Sequence, residues 1–354
     1  MMAAPFYNQS NMPYPHRIRL RGPWQFETLA RYASAAQEGA TAQGEPPGAG
    51  RTTVPSDWGD VLGADFRGVV RYARRFNPPA SLDAHERLWL VVDGVDARGS
   101  VSLNGNQLGN VEGYAVQASF DITSLVAARN ELQLDVELPV EASPGGAPLR
   151  PGRETMPGGP VGEVWLEVRS EWFIDRLAIW SVADSLPAFV AHGRLAGDAA
   201  GARLAVVISG CQRELAYIEA TDGEDFEVSF QAGDFPKWTC LAPQLAPVEV
   251  KLLSGGASVW QTQIETSFRA AQTNDALTYL ARILPEADYA DFDRRGASIV
   301  QQVPLAWADK VCPRLAHHPA IVAWSVEAGE QLPAAATCGR SWCAAPMHGI
   351  PSDR

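Results

Sequence analysis

The chain has 354 residues, 46% of them hydrophobic, with 29 basic against 41 acidic side chains and a net charge of −12. At about 150 residues per domain this length predicts two to three domains with ordinary apolar cores. The acidic balance argues against nucleic-acid and anionic-membrane partners, which select basic patches. No segment reaches the ~18 apolar residues of a membrane span. Residues 1–21 are rich in Pro, Asn and Tyr and show no apolar h-region of a secretory signal. The five cysteines are few and odd in number, which fits a reducing, cytoplasmic setting better than a disulfide framework. Cys338, Cys343 and His348 cluster in sequence but match no common zinc spacing, so no metal and no cofactor is expected.

From about residue 17 to 169 the chain reads as short strands between turns, the pattern of a sandwich or jelly roll. Residues 69–76 mix apolar and basic side chains like an edge strand, and residues 88–92 are wholly apolar. Residues 99–103 alternate and run into Asn104-Gly105, the strongest two-residue hairpin signal, with 107–111 as the return strand. Residues 131–138 alternate with period 2, which predicts one buried face. Residues 33–50, rich in Ala, Gly, Pro and Gln, read as a long insertion.

An ordered series of motifs runs through this region. It begins Leu20-Arg-Gly-Pro-Trp24-Gln-Phe26, Val54-Pro-Ser-Asp-Trp58 and Phe66-Arg-Gly-Val-Val-Arg-Tyr72. It continues with Asp93-Gly-Val-Asp96, Val101-Ser-Leu-Asn-Gly105, Phe120-Asp-Ile-Thr123 and Gly158-Gly-Pro-Val-Gly-Glu-Val-Trp165. The series resembles the N-terminal sugar-binding jelly roll of glycoside hydrolase family 2, the family of β-galactosidases, β-glucuronidases and β-mannosidases. Trp24, Trp58 and Trp165 are expected to pack in a core or between domains. The connection over residues 139–162 corresponds in the family to a segment near the active-site mouth. The resemblance therefore makes Arg153 and Glu154 candidate substrate-binding residues.

Residues 171–271 again show short period-2 strands, at a length that suits an immunoglobulin-like sandwich. This region is similar to the second domain of the same family, expected to act as a rigid spacer. Beyond it, a helix after Pro285 with a stop at Gly296, a strand over 297–302, a helix over 305–316 and a strand over 321–324 alternate as βαβ units do. The expected architecture is mainly β. A jelly roll (1–170) and an immunoglobulin-like sandwich (171–271) precede a short α/β remnant of a (β/α)₈ barrel (272–354). The tail from residue 332 is expected to be irregular, and no barrel strand is expected between residues 271 and 285.

The order Tyr289, Asp293, Gly296, Gln301-Gln302, His318-Pro319 and Trp324-Ser325 resembles the middle of the family's catalytic barrel. The family's strand ends in Trp-Ser-x-Gly-Asn-Glu, where Asn holds the sugar 2-hydroxyl and Glu is the general acid/base. Here the sequence is Trp324-Ser-Val-Glu-Ala-Gly-Glu330, so the Asn is absent and the Glu stands one residue late. Glu330 is the candidate acid/base, Glu327 the second candidate, and Trp324 a substrate-binding candidate. The alternative is that both carboxylates are solvent-facing. Retaining glycosidases need two carboxylates about 5–5.5 Å apart, and no nucleophile is identifiable here. The expected function is a family-2-like protein of carbohydrate metabolism, catalytically impaired, with a carbohydrate as its ligand. The alternatives are a non-catalytic carbohydrate-binding scaffold or a truncated product without independent function.

Overall fold

The computed structural model describes residues 14–32, 48–140, 156–182, 188–197, 203–208, 211–217, 223–231, 235–254, 257–269, 276–326, 332, 338 and 340–344. The first part of the chain forms β1 (His16–Arg19), β2 (Trp24–Arg31), β3 (Ala49–Thr52), a one-turn helix α1 (Gly59–Leu62), β4 (Gly68–Phe76) and β5 (Glu86–Val92). It continues through β6 (Arg98–Leu103), β7 (Asn106–Glu112), β8 (Ala118–Asp121), β9 (Asn130–Leu138) and β10 (Val164–Ser170). Six strands pair in the order β3-β2-β4-β9-β6-β7 and four in the order β1-β10-β5-β8. Strand β9 buries every second residue from Asn130 to Leu138, as a strand with one face on a core must. The inner faces share one core that includes Trp24, Trp58, Phe66, Leu90 and Leu134. Trp24 and Trp58 are fully buried and Trp165 nearly so.

The hairpin predicted at Asn104-Gly105 joins β6 to β7, with φ of 53° and 82° at the two turn residues. Two positive φ values in a two-residue loop match the twist of the flanking strands. The edge-strand expectation for 69–76 is corrected, because β4 lies between β2 and β9. Its basic residues sit opposite acids on β9: Arg71 faces Asp135 at 2.7 Å and Arg75 faces Glu131 at 3.1 Å. Cross-strand ion pairs on the solvent face thus produce the charge pattern that resembles edge protection.

The next segment contributes β11 (Phe173–Val182), β12 (Ala188–Ala196), β13 (Arg203–Ile208), β14 (Cys211–Tyr217) and β15 (Asp225–Gln231). Then come β16 (Lys237–Trp238), β17 (Ala246–Ser254), β18 (Ala257–Thr266) and β19 (Phe268–Arg269). Its sheets, β11-β12-β15 and β14-β13-β17-β18, are antiparallel. They close on a second core containing Phe173, Phe189, Phe235, Val250, Leu252 and Phe268. The two sandwiches meet where Trp89 of β5 packs edge-on against Phe173 at 5.5 Å. The Arg169 guanidinium lies over both rings and is paired with the buried Glu167 at 2.7 Å.

The last described segment is β20 (Leu277–Leu280), α2 (Glu286–Arg295), β21 (Ser298–Gln302), α3 (Ala308–Leu315), β22 (Ile321–Val326) and β23 (Ser341–Ala344). The four strands are parallel, in the order β20-β21-β22-β23. Helix α2 stops where Gly296 takes a left-handed conformation, φ 73°. Two expectations are corrected here. A strand, β20, does precede α2, and residues 341–344 of the supposedly irregular tail form a strand that pairs in register with β22. Each is only four residues long, too short to show periodicity. Among the described residues no helix is long and apolar enough to cross a membrane.

Candidate functional site

Parallel strands with following helices place their chemistry at the strand C-terminal ends. In β21 and β22, Gln301 aligns with Trp324 and Gln302 with Ser325. Trp324 is fully buried in a core with Tyr289, Ile299, Val311 and Leu315, so it faces the helices. Gln301 faces the same way: the Tyr289 hydroxyl donates to its Oε1 at 2.6 Å, and its Nε2 donates to the carbonyls of Leu280, Arg282 and Gln302. Alternation then turns Gln302 and Ser325 onto the opposite face. The Ser325 hydroxyl is buried and has no hydrogen-bond partner among the described residues. A buried hydroxyl left unpaired is costly, so a polar partner at Ser325 would be stabilising.

The first sandwich reaches the same end of the sheet. The Tyr114 hydroxyl accepts a hydrogen bond from Ile283 N–H, in the loop after β20, at 3.2 Å. The Tyr114 ring meets Trp307, in the loop after β21, edge-on at 5.4 Å. Ala115 and Val116 join the apolar core of the α/β layer. The connection from β7 to β8 is thereby fixed against the strand ends where a barrel site would lie.

At the other end of the sheet is a buried polar cluster. Asp293, at the end of α2, accepts from His318 Nδ1 at 2.6 Å and from Ala320 N–H at 2.8 Å. Arg340 donates to the carbonyls of Ala316, His318 and Ile321. The His317 and His318 rings lie against each other, tilted by 37°, with centroids 4.0 Å apart. Burial lifts Asp293 to about 6. Burial holds His318 down at about 3, and also His317, where the neighbouring His318 ring adds to the effect. At neutral pH a neutral His318 therefore donates its Nδ1–H to a charged Asp293.

The two depressed histidines contribute stability that is complete above pH 6.5 and drains away as pH falls toward 3. The raised Asp293 works the other way: its contribution is full below pH 3.8 and is lost as pH rises through about 6. Between pH 6 and 4 the unfolded chain binds two histidine protons against one aspartate proton in the fold. One net proton corresponds to about 1.4 kcal/mol per pH unit. Urea unfolding in metal-free buffer is expected to show the cluster costing roughly 2–3 kcal/mol on going from pH 6 to pH 4. His317→Asn should remove most of that slope; an unchanged slope would show that these groups do not set it.

The residues expected to act on substrate are placed unevenly. Glu327 and Glu330 follow β22, and Arg153 and Glu154 fall in the connection between β9 and β10; all four lie outside the described residues. Cys343 and His348 likewise have no described side chain. Trp324 is on the helix-facing side, where its indole holds the strand rather than opening to solvent. The inward turn of Ser325 and the docking role of Tyr114 were not read from the sequence. Alternation along β22 carries the signal for Ser325. Nothing local marks Tyr114, whose partner Ile283 is 169 positions away.

Residues 67–150 match the model of the glycosyl hydrolase 2 galactose-binding domain-like family. No match was found among curated proteins. In fold the chain is similar to a β-glucuronidase of Bacteroides uniformis, at 17% identity and TM-score 0.67, over 88% of this chain and 47% of that one. It is also similar to the Bifidobacterium dentium β-glucuronidase complexed with coumarin-3-O-glucuronide, at 18% identity and TM-score 0.71, over 96% and 75%. A third is a family 2 β-galacturonidase of Eisenbergiella tayi bound to galacturonate, at 14% and TM-score 0.65, over 88% and 65%. The chain spans about half the length of the Bacteroides uniformis enzyme. The resemblance to glycoside hydrolase family 2 drawn from the residues is thus borne out in the first sandwich and in the fold.

Proposed function

We propose that this chain is a family-2-type carbohydrate-active protein that binds a β-linked sugar at the C-terminal ends of β21 and β22 and hydrolyses it weakly or not at all. The observation carrying this reading is the buried Ser325 hydroxyl, unpaired among the described residues, on the same face as Gln302 and at the end of the sheet that the first sandwich reaches through Tyr114. Glu330 is the acid/base candidate of that site and Glu327 the second; Arg153 and Glu154 are the proposed sugar contacts from the first sandwich. The impairment rests on the sequence Trp324-Ser-Val-Glu-Ala-Gly-Glu330. It lacks the Asn that the family resemblance calls for, and it displaces the Glu by one residue. A one-residue slip in extended chain reverses a side chain.

Solved structures of similar fold include β-glucuronidases and a β-galacturonidase, so uronides belong among the sugars tried. Calorimetry with glucuronate, galacturonate, galactose and mannose is expected to find binding to one of them, weakened at least about tenfold by Ser325→Ala if one hydrogen bond of roughly 1.5 kcal/mol is lost. Nitrophenyl β-glycosides of the same sugars are expected to turn over at or near background. Turnover abolished by Glu330→Gln would overturn the impaired reading, and absence of binding to any sugar would overturn the site itself.

A further inference from the structure

Glu286, His317 and His318 present ligand atoms that all lie within 4.8 Å of one another. Two imidazoles and a carboxylate form the donor set that suits zinc and its first-row neighbours. Three protein ligands with a fourth position left to water is a familiar zinc arrangement. The three come from two elements, the first turn of α2 and the turn between α3 and β22.

An independent observation points the same way. His318 is 3% exposed, and its Nε2 has no hydrogen-bond partner among the described residues. Its other ring nitrogen, Nδ1, is bonded to the Asp293 carboxylate at 2.6 Å. That is the carboxylate–histidine pairing that fixes the tautomer of a metal-bound imidazole and makes the free nitrogen a better donor. With the proton on Nδ1, the lone pair on Nε2 is left buried, and Nε2 is the ring nitrogen still open to a metal. Such an atom costs free energy unless something occupies it. His317 Nε2 stands 3.6 Å from Glu286 Oε1, close to the separation of two ligands on one tetrahedral zinc, about 3.4 Å for bonds of roughly 2.1 Å. Glu286 is more than half exposed and can swing to close the third distance.

We propose that Glu286, His317 and His318 form a divalent transition-metal site, with zinc as its ion and Asp293 holding His318 in the ligating tautomer. Burial keeps both imidazoles neutral at physiological pH, the form a metal requires. The charge of Arg340 opposes the ion, while its guanidinium is spent on three backbone carbonyls and Asp293 offsets it. The site lies away from the proposed sugar face, so it would act as a clip between the start of α2 and the start of β22.

The test uses the whole chain, stripped with chelator and titrated with zinc chloride and with cobalt chloride. One equivalent of zinc is expected per chain, raising the melting temperature. Cobalt should give the intense visible bands of a tetrahedral or five-coordinate site. His317→Asn and Glu286→Gln should each weaken zinc binding by at least about 100-fold, since even outer-shell partners are worth 10–100-fold. Glu286 is exposed, so the Gln variant keeps the fold even where His317→Asn fails to express. Asp293→Asn should weaken zinc binding by about 10–100-fold. Absence of stoichiometric binding, or binding and cobalt bands unchanged in Glu286→Gln, would overturn the proposal. Neither readout depends on whether any sugar is bound.

Discussion

Asp293→Ala is expected to destabilise the protein by about 2–5 kcal/mol, the cost of leaving two buried hydrogen-bond donors without their acceptor. Asp293 is 1% exposed and accepts from both the His318 ring and the Ala320 N–H. The variant strands those two donors in a dry interior and removes the charge that offsets Arg340. Asn at the same position keeps one acceptor, so Asp293→Asn should cost less, about 1–3 kcal/mol. Urea unfolding at pH 7.5 in chelator separates the two. A loss below 1 kcal/mol for the Ala variant would mean the carboxylate is not the keystone of the α2–β22 junction.

Gly113→Ala is expected to cost about 2–6 kcal/mol through two additive causes. The residue sits at φ 96°, where a side chain brings strain of about 1–3 kcal/mol. A Cβ there would also overlap the Trp307 indole, and forcing extra volume into a packed contact costs about 1–3 kcal/mol more. Gly105→Ala is the control: its φ is 82°, but nothing lies near the added methyl, so only the strain remains. The difference between the two variants measures how firmly the β7–β8 connection is docked on the loop after β21. Equal losses would show that Trp307 yields without cost. Because Tyr114 lies next to Gly113, the Ala variant is also expected to weaken any sugar binding at the strand ends.

Local signals made most of the first sandwich readable. The Asn104-Gly105 turn needs two positive φ values, and the alternation of β9 reports one buried face. The α/β layer was legible where a strand is six residues long and follows His318-Pro319. It was not legible at β20 and β23, four residues each. The charge pattern of β4 misled, because ion pairs across a central ladder look the same in one dimension as protection of an edge. Of the candidate site, the sequence supplied the strand that carries it and the displacement of Glu330. The sequence could not show that Ser325 turns inward with Gln302. Nor could it show that Glu286 and His317 converge, since that depends on how α2 lies against the turn before β22.

The second sandwich also supplies donors to the α/β layer. The Trp238 indole donates to Asp293 O at 2.8 Å, the Thr266 hydroxyl to His317 O at 2.6 Å, and Arg269 to Pro319 O at 3.1 Å. These carbonyls belong to the helix end and turns that launch β21 and β22, and they find these partners outside their own layer. In a chain made from its N-terminus, Trp238, Thr266 and Arg269 emerge before the carbonyls they satisfy. The sandwich can thus be complete, with its donors in place, before the parallel strands need a starting edge. Order of synthesis and order of assembly then coincide. A circular permutant that places residues 276–344 first should refold more slowly than the natural order while reaching the same final stability.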